Sequence, residues 1–281
     1  MKAFVLEYGE LSIKEMPVRE PAENEVVVRL KTAGLNRRDL YIPNRMGADE
    51  PALILGSDGA GIVETVGTSV TSFKPGDEVI INPSLNWYEN TDAPPKGFDI
   101  LGMPDHGTFA EKIIISEEQL EAKPTYLSWD EAGVLALAAL TGYRALVTKG
   151  QVKEGETVFI PGASSGVNTY IIQLAKKIGA RVIVTSRSDE KLQQALEIGA
   201  DLAIPTTSDW KKELENESID LVIDSVGAAT FNRSLAVLKQ GGKMVVYGAT
   251  TEDEVTLNLR SFFYGQYQLL GSTIGSRSEF R

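Results

Sequence analysis

Cysteine is absent from the 281 residues, and histidine occurs once. The first absence excludes disulfides, a thiolate nucleophile and any cysteine-ligated metal. The second removes most routes to an imidazole metal site or a Ser-His-Asp triad, although a triad needs only one histidine. That residue, His106, sits in the turn-like run Pro104-Asp105-His106-Gly107 and reads as a solvated loop histidine. Positive charge is also scarce: 28 Lys and Arg stand against 39 Asp and Glu, a net charge of −11, which argues against nucleic acid or an anionic membrane as the main partner. No apolar run reaches bilayer-spanning length, and the first ten residues, MKAFVLEYGE, carry no signal-peptide pattern, so the expectation is a soluble, cytoplasmic protein. With 42% hydrophobic residues the chain can bury one large core or two smaller ones.

What is present centres on Glu156 to Gly199, which reads strand, small-residue turn, helix, strand, helix: the order of a nucleotide-binding βαβ unit. The apolar run Val158-Phe159-Ile160 ends at Pro161-Gly162, where proline removes the ladder donor. From Val167 a 3.6-residue stripe runs through Tyr170, Ile171, Leu174, Ala175 and Ile178, and Gly179 stands where a left-handed C-cap belongs. The turn Gly162-Ala163-Ser164-Ser165-Gly166 should therefore feed a helix N-terminus at Val167, whose free N–H groups and dipole suit a pyrophosphate. The G-x-G-x-x-G fingerprint is incomplete, because its positions hold Ala163, Ser165 and Asn168. Gly162 and Gly166 still permit close backbone approach, and asparagine is the non-glycine residue that best tolerates positive φ. An ordinary βα turn that binds nothing is the alternative.

An NAD site would place a carboxylate at the end of the second strand. This chain has Ser186 and Arg187 there, with Lys191 in the first turn of the next helix. A hydroxyl, a guanidinium and an ammonium can hold a 2′-phosphate, so the cofactor expected is NADP; the alternative is that Arg187 and Lys191 are solvated surface charges.

The region up to about Lys123 is rich in short strands: Met1 to Leu6, Ser12 to Met16, Glu25 to Ala33, Ile54 to Val66, Asp77 to Asn82 and Phe109 to Ser116, with Ser84 to Met103 a long loop. Ser128-Trp129-Asp130-Glu131 supplies an N-cap and an acidic first turn for a helix over Ala132 to Ala139, followed by a second helical stretch, Gly142 to Lys149. Beyond Gly199, strands are expected at Asp201 to Ile204, Ile219 to Asp224, Lys243 to Tyr247 and Gln268 to Thr273, and a helix at Thr230 to Leu238. Six strands in this alternation suit a doubly wound parallel sheet.

Over nearly its whole length the chain resembles the medium-chain dehydrogenases and reductases, specifically their zinc-independent, quinone-oxidoreductase-like branch. The resemblance is carried by Ala33-Gly34-Leu35-Asn36 with Asp39-Leu40-Tyr41, GSDGAGIVETVG from Gly56, FKPGDEV from Phe73, GTFAEK from Gly107 and LTGYRAL from Leu140. IQLAKKIGA from Ile172, DSVG from Asp224 and GGKMVVYGA from Gly241 add to it. It implies an α/β protein with a GroES-like β-rich catalytic domain (1–126) and a Rossmann domain (127–276) with a doubly wound parallel sheet, the cofactor lying in the cleft between them. It also implies a homodimer through the last Rossmann strand. By family position Asn36 and Tyr41 act at the nicotinamide and substrate, Asn36 orienting a carboxamide or carbonyl and Tyr41 donating a proton. Thr141, Val226, Gly227, Gly248, Ala249, Thr250 and Ser272 border the cofactor. Asn36 could otherwise be a strand-end turn residue, and Tyr41 a packed aromatic.

Zinc-containing relatives carry cysteine, His-Glu and a further Cys or His where this chain has Asn36, Ser57-Asp58 and Leu137. One carboxylate without soft or imidazole partners is a poor zinc site, so no metal is expected. Without a Lewis acid the resemblance implies hydride transfer from NADPH to an activated small molecule, a quinone or an α,β-unsaturated carbonyl. Arg38 departs from the family's small or hydroxyl residue and could attract an anionic substrate or pair with Asp39. Family chains normally continue beyond the point where this one stops, Ser278-Glu279-Phe280-Arg281, so 277–281 reads as the start of a truncated C-terminal helix, in a fragment or a natural short form. The loosened glycine pattern and that ending fit a second reading, a non-catalytic family member that binds a nucleotide or a protein partner.

Overall fold

Alternation of β-branched residues with polar ones builds the first of two units, and continuous apolar runs build the second. The computed structural model describes residues 1–47 and 49–281. Contacts divide them into Met1–Leu140 with Gly275–Arg281, and Thr141–Ile274. Those divisions differ from the 126/127 and 276/277 boundaries expected above.

In the first unit five antiparallel strands lie in the order Leu120–Ala122, Glu78–Ile81, Asp58–Val66, Glu25–Gly34, Lys112–Ser116. Val26, Val28, Val63, Val79, Ile81, Ile113 and Ile115 form one buried cluster, as the two-residue period of a pleated strand requires. A second sheet joins Glu10–Glu15, Lys2–Glu7 and Leu53–Ile54. The strand expected over Ile54 to Val66 is therefore interrupted, and the cause is Gly56. Its φ is +97°, and a Cβ there would come within 2.4 Å of the Phe109 ring. The chain bends at this point to receive the backbone of Gly107 to Phe109, with Gly107 N–H donating to Ile54 O at 2.7 Å and Phe109 N–H to Leu55 O at 2.8 Å.

The stretch from Ser84 to Met103 is more ordered than a loop without periodicity suggests: Ser84–Leu85 pairs with Asp99–Ile100, and buried Trp87 stacks edge-on against Phe98. Strands two residues long carry no readable period. The Ser128 cap is observed, with Glu131 N–H donating to Ser128 Oγ at 3.2 Å. The helix it starts is shorter than expected, however: Trp129–Gly133 ends at Val134, a new helix spans Ala136–Tyr143, and Arg144–Lys149 continues as π-helix. Close packing on the sheet fixes the break, because Thr32 Oγ1 donates to Trp129 O at 2.6 Å and a Cβ on Gly133 would fall 2.3 Å from that same hydroxyl. At the other end of the chain Arg277 pairs with Glu118 and Glu121, and Phe280 packs on Ala60, Ile80, Ala132 and Ala136.

The second unit is a six-stranded parallel sheet in the order Leu202–Pro205, Arg181–Ser186, Thr157–Ile160, Ile219–Asp224, Leu238–Val246, Gln268–Gly271. Numbered along the chain this is 3-2-1-4-5-6, the order of dinucleotide-binding sheets, with its switch point between the first and fourth strands. Val158, Ile160, Val182, Val184, Leu221 and Ile223 are buried among residues of the helix Gly166–Ile178, while Phe159, Ile183, Val222 and Met244 form the core on the other face. Strands buried on both faces explain the unbroken apolar runs. Two short helices, Trp210–Glu213 and Leu259–Gly265, have too few turns for a periodic signal. Among the described residues no helix is long and apolar enough to cross a membrane.

Candidate active site

The residues assigned to a cofactor in the second unit converge on the C-terminal ends of five of its six strands. The first strand stops at Ile160, Gly162 turns the chain with φ +78°, and the helix Gly166–Ile178 begins after the N-cap Ser165, whose Oγ accepts from Asn168 N–H at 3.0 Å. Gly179 closes this helix at φ +93°, as its sequence requires. Ser164 and Gly166 are exposed, Ser165 and Val167 half-buried, and Ala163 is buried with its N–H given to Thr185 O at 2.7 Å. A Cβ at Gly162 would meet only Val226, at 3.3 Å, so the turn leaves room in front of a helix whose first N–H groups have no intrahelical acceptor.

Asn168 does not use its tolerance of positive φ. It is helical and buried; its Nδ2 donates to Gly162 O at 2.7 Å, and its Oδ1 accepts from Tyr247 Oη at 2.7 Å. The third glycine of the fingerprint is thus replaced by a side chain that staples the turn to the fifth strand. Burial pushes the Tyr247 phenol up, so it stays a protonated donor.

Ser186 is buried at the end of the second strand, with its Oγ accepting from Ser188 N–H at 3.3 Å, while Arg187 and Lys191 are exposed beside it. At the end of the fourth strand buried Asp224 holds the next wall: Oδ1 accepts from Val226 N–H at 2.7 Å and Gly227 N–H at 3.3 Å, and Oδ2 from Ser234 Oγ at 3.0 Å. Gly227 has φ +100°, and a Cβ there would fall 2.7 Å from Glu252 O. Thr250 N–H donates to Ser225 O and Thr251 N–H to Val226 O, which ties the segment after Gly248 and Ala249 to this wall, and Ser272 N–H extends the last strand onto Val246 O at 2.9 Å. Thr141 is buried on the helix Ala136–Tyr143. Open backbone, hydroxyls and two exposed cations form a donor set that fits a dinucleotide phosphate.

In the first unit Asn36 leaves the strand Glu25–Gly34 and opens two 3₁₀ turns, Arg37–Leu40 and Ile42–Asn44, with Tyr41 between them. It is a strand-end turn residue, and it is also bonded deeply: Nδ2 donates to Asp58 Oδ2 at 2.9 Å. Asp58 Oδ1 accepts from Leu137 N–H at 2.7 Å, so the carboxylate caps the helix Ala136–Tyr143. Desolvation pushes the Asp58 carboxyl up to about 6, against the hydrogen bonds from Asn36 and Leu137. Arg38 neither faces outward nor pairs with Asp39 by a hydrogen bond. Its guanidinium donates to Ser57 Oγ, Leu101 O (2.7 Å) and Ile100 O (3.4 Å), and burial lowers its pKa. The positions that match a metal set therefore form two hydrogen-bonded units, and among the described residues no group of three or more His, Cys, Asp or Glu could hold a metal ion.

Tyr41 is partly exposed, and its Oη accepts from Arg37 Nε at 3.1 Å, leaving the phenol proton to be given elsewhere. Leu35 and Leu40 are exposed around it. His106 is exposed in its loop, as expected, and its Nδ1 also accepts from Ile54 N–H at 3.2 Å; desolvation lowers its pKa, which keeps the ring neutral.

Comparison with known proteins agrees with this architecture. The alcohol dehydrogenase GroES-like domain model matches residues 22–125, and the zinc-binding dehydrogenase model matches residues 166–281. A zinc-type alcohol dehydrogenase-like protein of Leptosphaeria maculans is 32% identical over 98% of this chain and 82% of its own length. The chain belongs to the medium-chain dehydrogenase/reductase family. As a member it is an oxidoreductase with a nucleotide-binding Rossmann unit. Acryloyl-coenzyme A reductase of Sulfurisphaera tokodaii is 33% identical over 88% of this chain and 76% of its own. The crystal structure of an NAD-dependent alcohol dehydrogenase superposes with a TM-score of 0.91 at 37% identity, covering 99% of this chain and 86% of that one.

Two features were missed by sequence reasoning. Asp58 was considered only as a metal ligand, although an acid in Gly-Ser-Asp-Gly beside an apolar strand already signals a buried, paired carboxylate. The Asn168–Tyr247 bond joins residues 79 positions apart and has no local signal. The Asp58 carboxyl has a testable pH consequence. Its folded pKa, about 6, lies above the ordinary 3.8, so the native state binds this proton more tightly. Its contribution to stability is whole below pH 3.8 and is lost as pH rises to 6, by up to about 3 kcal/mol. Urea unfolding at a series of pH values should show that fall in the wild type and not in Asp58→Asn; equal slopes would refute the raised value.

Proposed function

We propose that the chain is an NADPH-dependent, zinc-independent oxidoreductase of the quinone-oxidoreductase-like branch, and that its acceptor is a quinone or an α,β-unsaturated carbonyl. The observation that carries this reading is the state of Asn36, Ser57, Asp58 and Leu137: each is committed to a hydrogen bond, which supports a site that works without a Lewis acid. An electrophile must then arrive already activated by conjugation. When bound, NADPH supplies the hydride to such a carbon. The reduced acceptor also needs a proton. Tyr41 holds one that Arg37 does not engage, because Arg37 occupies the oxygen as a donor. Asn36 orients the carbonyl or carboxamide.

NADP is favoured over NAD by Ser186, Arg187 and Lys191, whose hydroxyl and two cations complement a 2′-phosphate. The similar acryloyl-coenzyme A reductase, by its name, acts on a conjugated thioester, which supports the enone class; the similar NAD-dependent dehydrogenase makes the nucleotide test necessary.

We further propose a homodimer. The strand Gln268–Gly271 is an edge of the parallel sheet, and Leu269 on it, with Phe263 and Tyr264 on the helix before it, is exposed. Two such edges paired about a two-fold axis would cover both. Sedimentation should give a dimer that Leu269→Lys dissociates; a monomeric wild type would rule it out.

The central reading is tested by following NADPH and NADH oxidation with a panel of enones and quinones. NADPH should be preferred. The double variant Arg187→Ala/Lys191→Ala should raise KM for NADPH by roughly tenfold or more, as loss of charge-assisted bonds implies, and leave KM for NADH unchanged. Tyr41→Phe should lower kcat by about a hundredfold if it donates the proton. NADPH binding without turnover of any acceptor would favour the non-catalytic reading instead.

A further inference from the structure

Asp58 is held by hydrogen bonds on both its side chain and its backbone. Both carboxylate oxygens are occupied, Oδ1 by Leu137 N–H and Oδ2 by Asn36 Nδ2, and its backbone carbonyl accepts from Thr108 Oγ1 at 2.7 Å. Only 1% of the residue is exposed. Asn36 is constrained almost as fully. Its backbone N–H donates to Asp39 Oδ2 at 2.7 Å, and its carbonyl accepts from Asp39 N–H at 3.0 Å. One carboxylate therefore fixes the backbone of Asn36, and a second fixes its side chain.

A carboxamide has nearly the same shape after half a turn about its last bond, which exchanges the oxygen with the NH₂ group. Sterics alone cannot choose between the two orientations. The partner's chemistry can. An ionised carboxylate only accepts, so it tolerates the NH₂ end of Asn36 and repels the oxygen. The consequence lies on the far side of the amide of this half-buried residue, which then carries Oδ1 and the second N–H.

Building on the oxidoreductase reading above, we propose that Asp58 is a positioning residue whose charge sets the amide orientation of Asn36, presenting Oδ1 to whatever the first unit binds. Asp58 has a structural duty as well, the cap on Leu137, and one substitution separates the two. In Asp58→Asn the new Oδ1 still accepts from Leu137 N–H. The new NH₂ can be satisfied only if Asn36 flips and offers its own oxygen. The bond to Leu137 and the bond between the two side chains are then retained, the buried charge is gone, and the far side of the Asn36 amide is reversed. A merely structural aspartate predicts no functional effect of such a change.

The experiment combines three readouts at pH 8, where the carboxyl is ionised. In ¹⁵N-labelled protein the Asn36 side-chain NH₂ signal, assigned by its disappearance in Asn36→Ala, should carry one strongly downfield proton in the wild type and lose that feature in Asp58→Asn. The unfolding midpoint of Asp58→Asn should equal or exceed that of the wild type. Its kcat/KM for NADPH-dependent reduction of an enone should fall at least tenfold, and adding Asp58→Asn to Asn36→Ala should cost nothing more. An unchanged Asn36 signal, an undiminished kcat/KM, or a loss that is additive with Asn36→Ala would each overturn the proposal. Should no acceptor be reduced even by the wild type, the oxidoreductase reading fails by itself, and the Asn36 signal alone still decides the orientation.

Discussion

A carboxylate taken out of water costs several kcal/mol, and both of its oxygens must be paired to reduce that cost. The first unit meets that requirement at Asp58 by bringing three separate segments to one point. The strand end at Asn36 supplies an amide, the helix start at Leu137 supplies a backbone N–H, and Gly34 lets the strand lie close, since a Cβ there would be 3.0 Å from Asp58 Cβ and 2.7 Å from Gly133 O. Arg38 and Ser57 lock the adjoining segment by binding the carbonyl of Leu101. In the zinc-containing relatives a metal would draw such positions together. Here hydrogen bonds join them, which supports the proposed chemistry of oriented dipoles without a metal.

The second unit repeats the device in another setting. Asp224, also buried, ties the turn after the fourth strand, and Asn168 ties the turn after the first to Tyr247. Both turns lie at the switch point of a parallel sheet, where the strand order opens a crevice. The rigidity that a glycine-rich fingerprint obtains by close helix–strand packing is supplied by side-chain bonds, which is why the loosened pattern still builds an open turn.

The Rossmann unit was the most legible part of the sequence. Apolar runs bounded by Pro161-Gly162, by Gly179 and by the DSVG segment mark strand ends and caps through local backbone chemistry, and the family resemblance supplied their connection. Elements governed by distant contacts were not legible. The bend at Gly56 answers the backbone of Gly107 to Phe109, the helix break at Val134 answers Thr32, and the two-residue strands in 84–103 are too short to show a period. The candidate site divided along the same line. The Ser186, Arg187, Lys191 set could be named because position and charge are local properties, whereas Asn36 and Tyr41 were named through the family resemblance. The pairings that fix Asn36 and Arg38 are tertiary, and the partners of Arg38 were accordingly missed.

The claim on which this account rests is that hydrogen bonds occupy the place of a catalytic metal. Its most direct test is the zinc content of protein purified from zinc-supplemented cells, measured alongside NADPH oxidation with and without a strong chelator. The account predicts far less than one zinc per chain and turnover that the chelator leaves intact. One zinc per chain, removed together with the activity by the chelator, would contradict it.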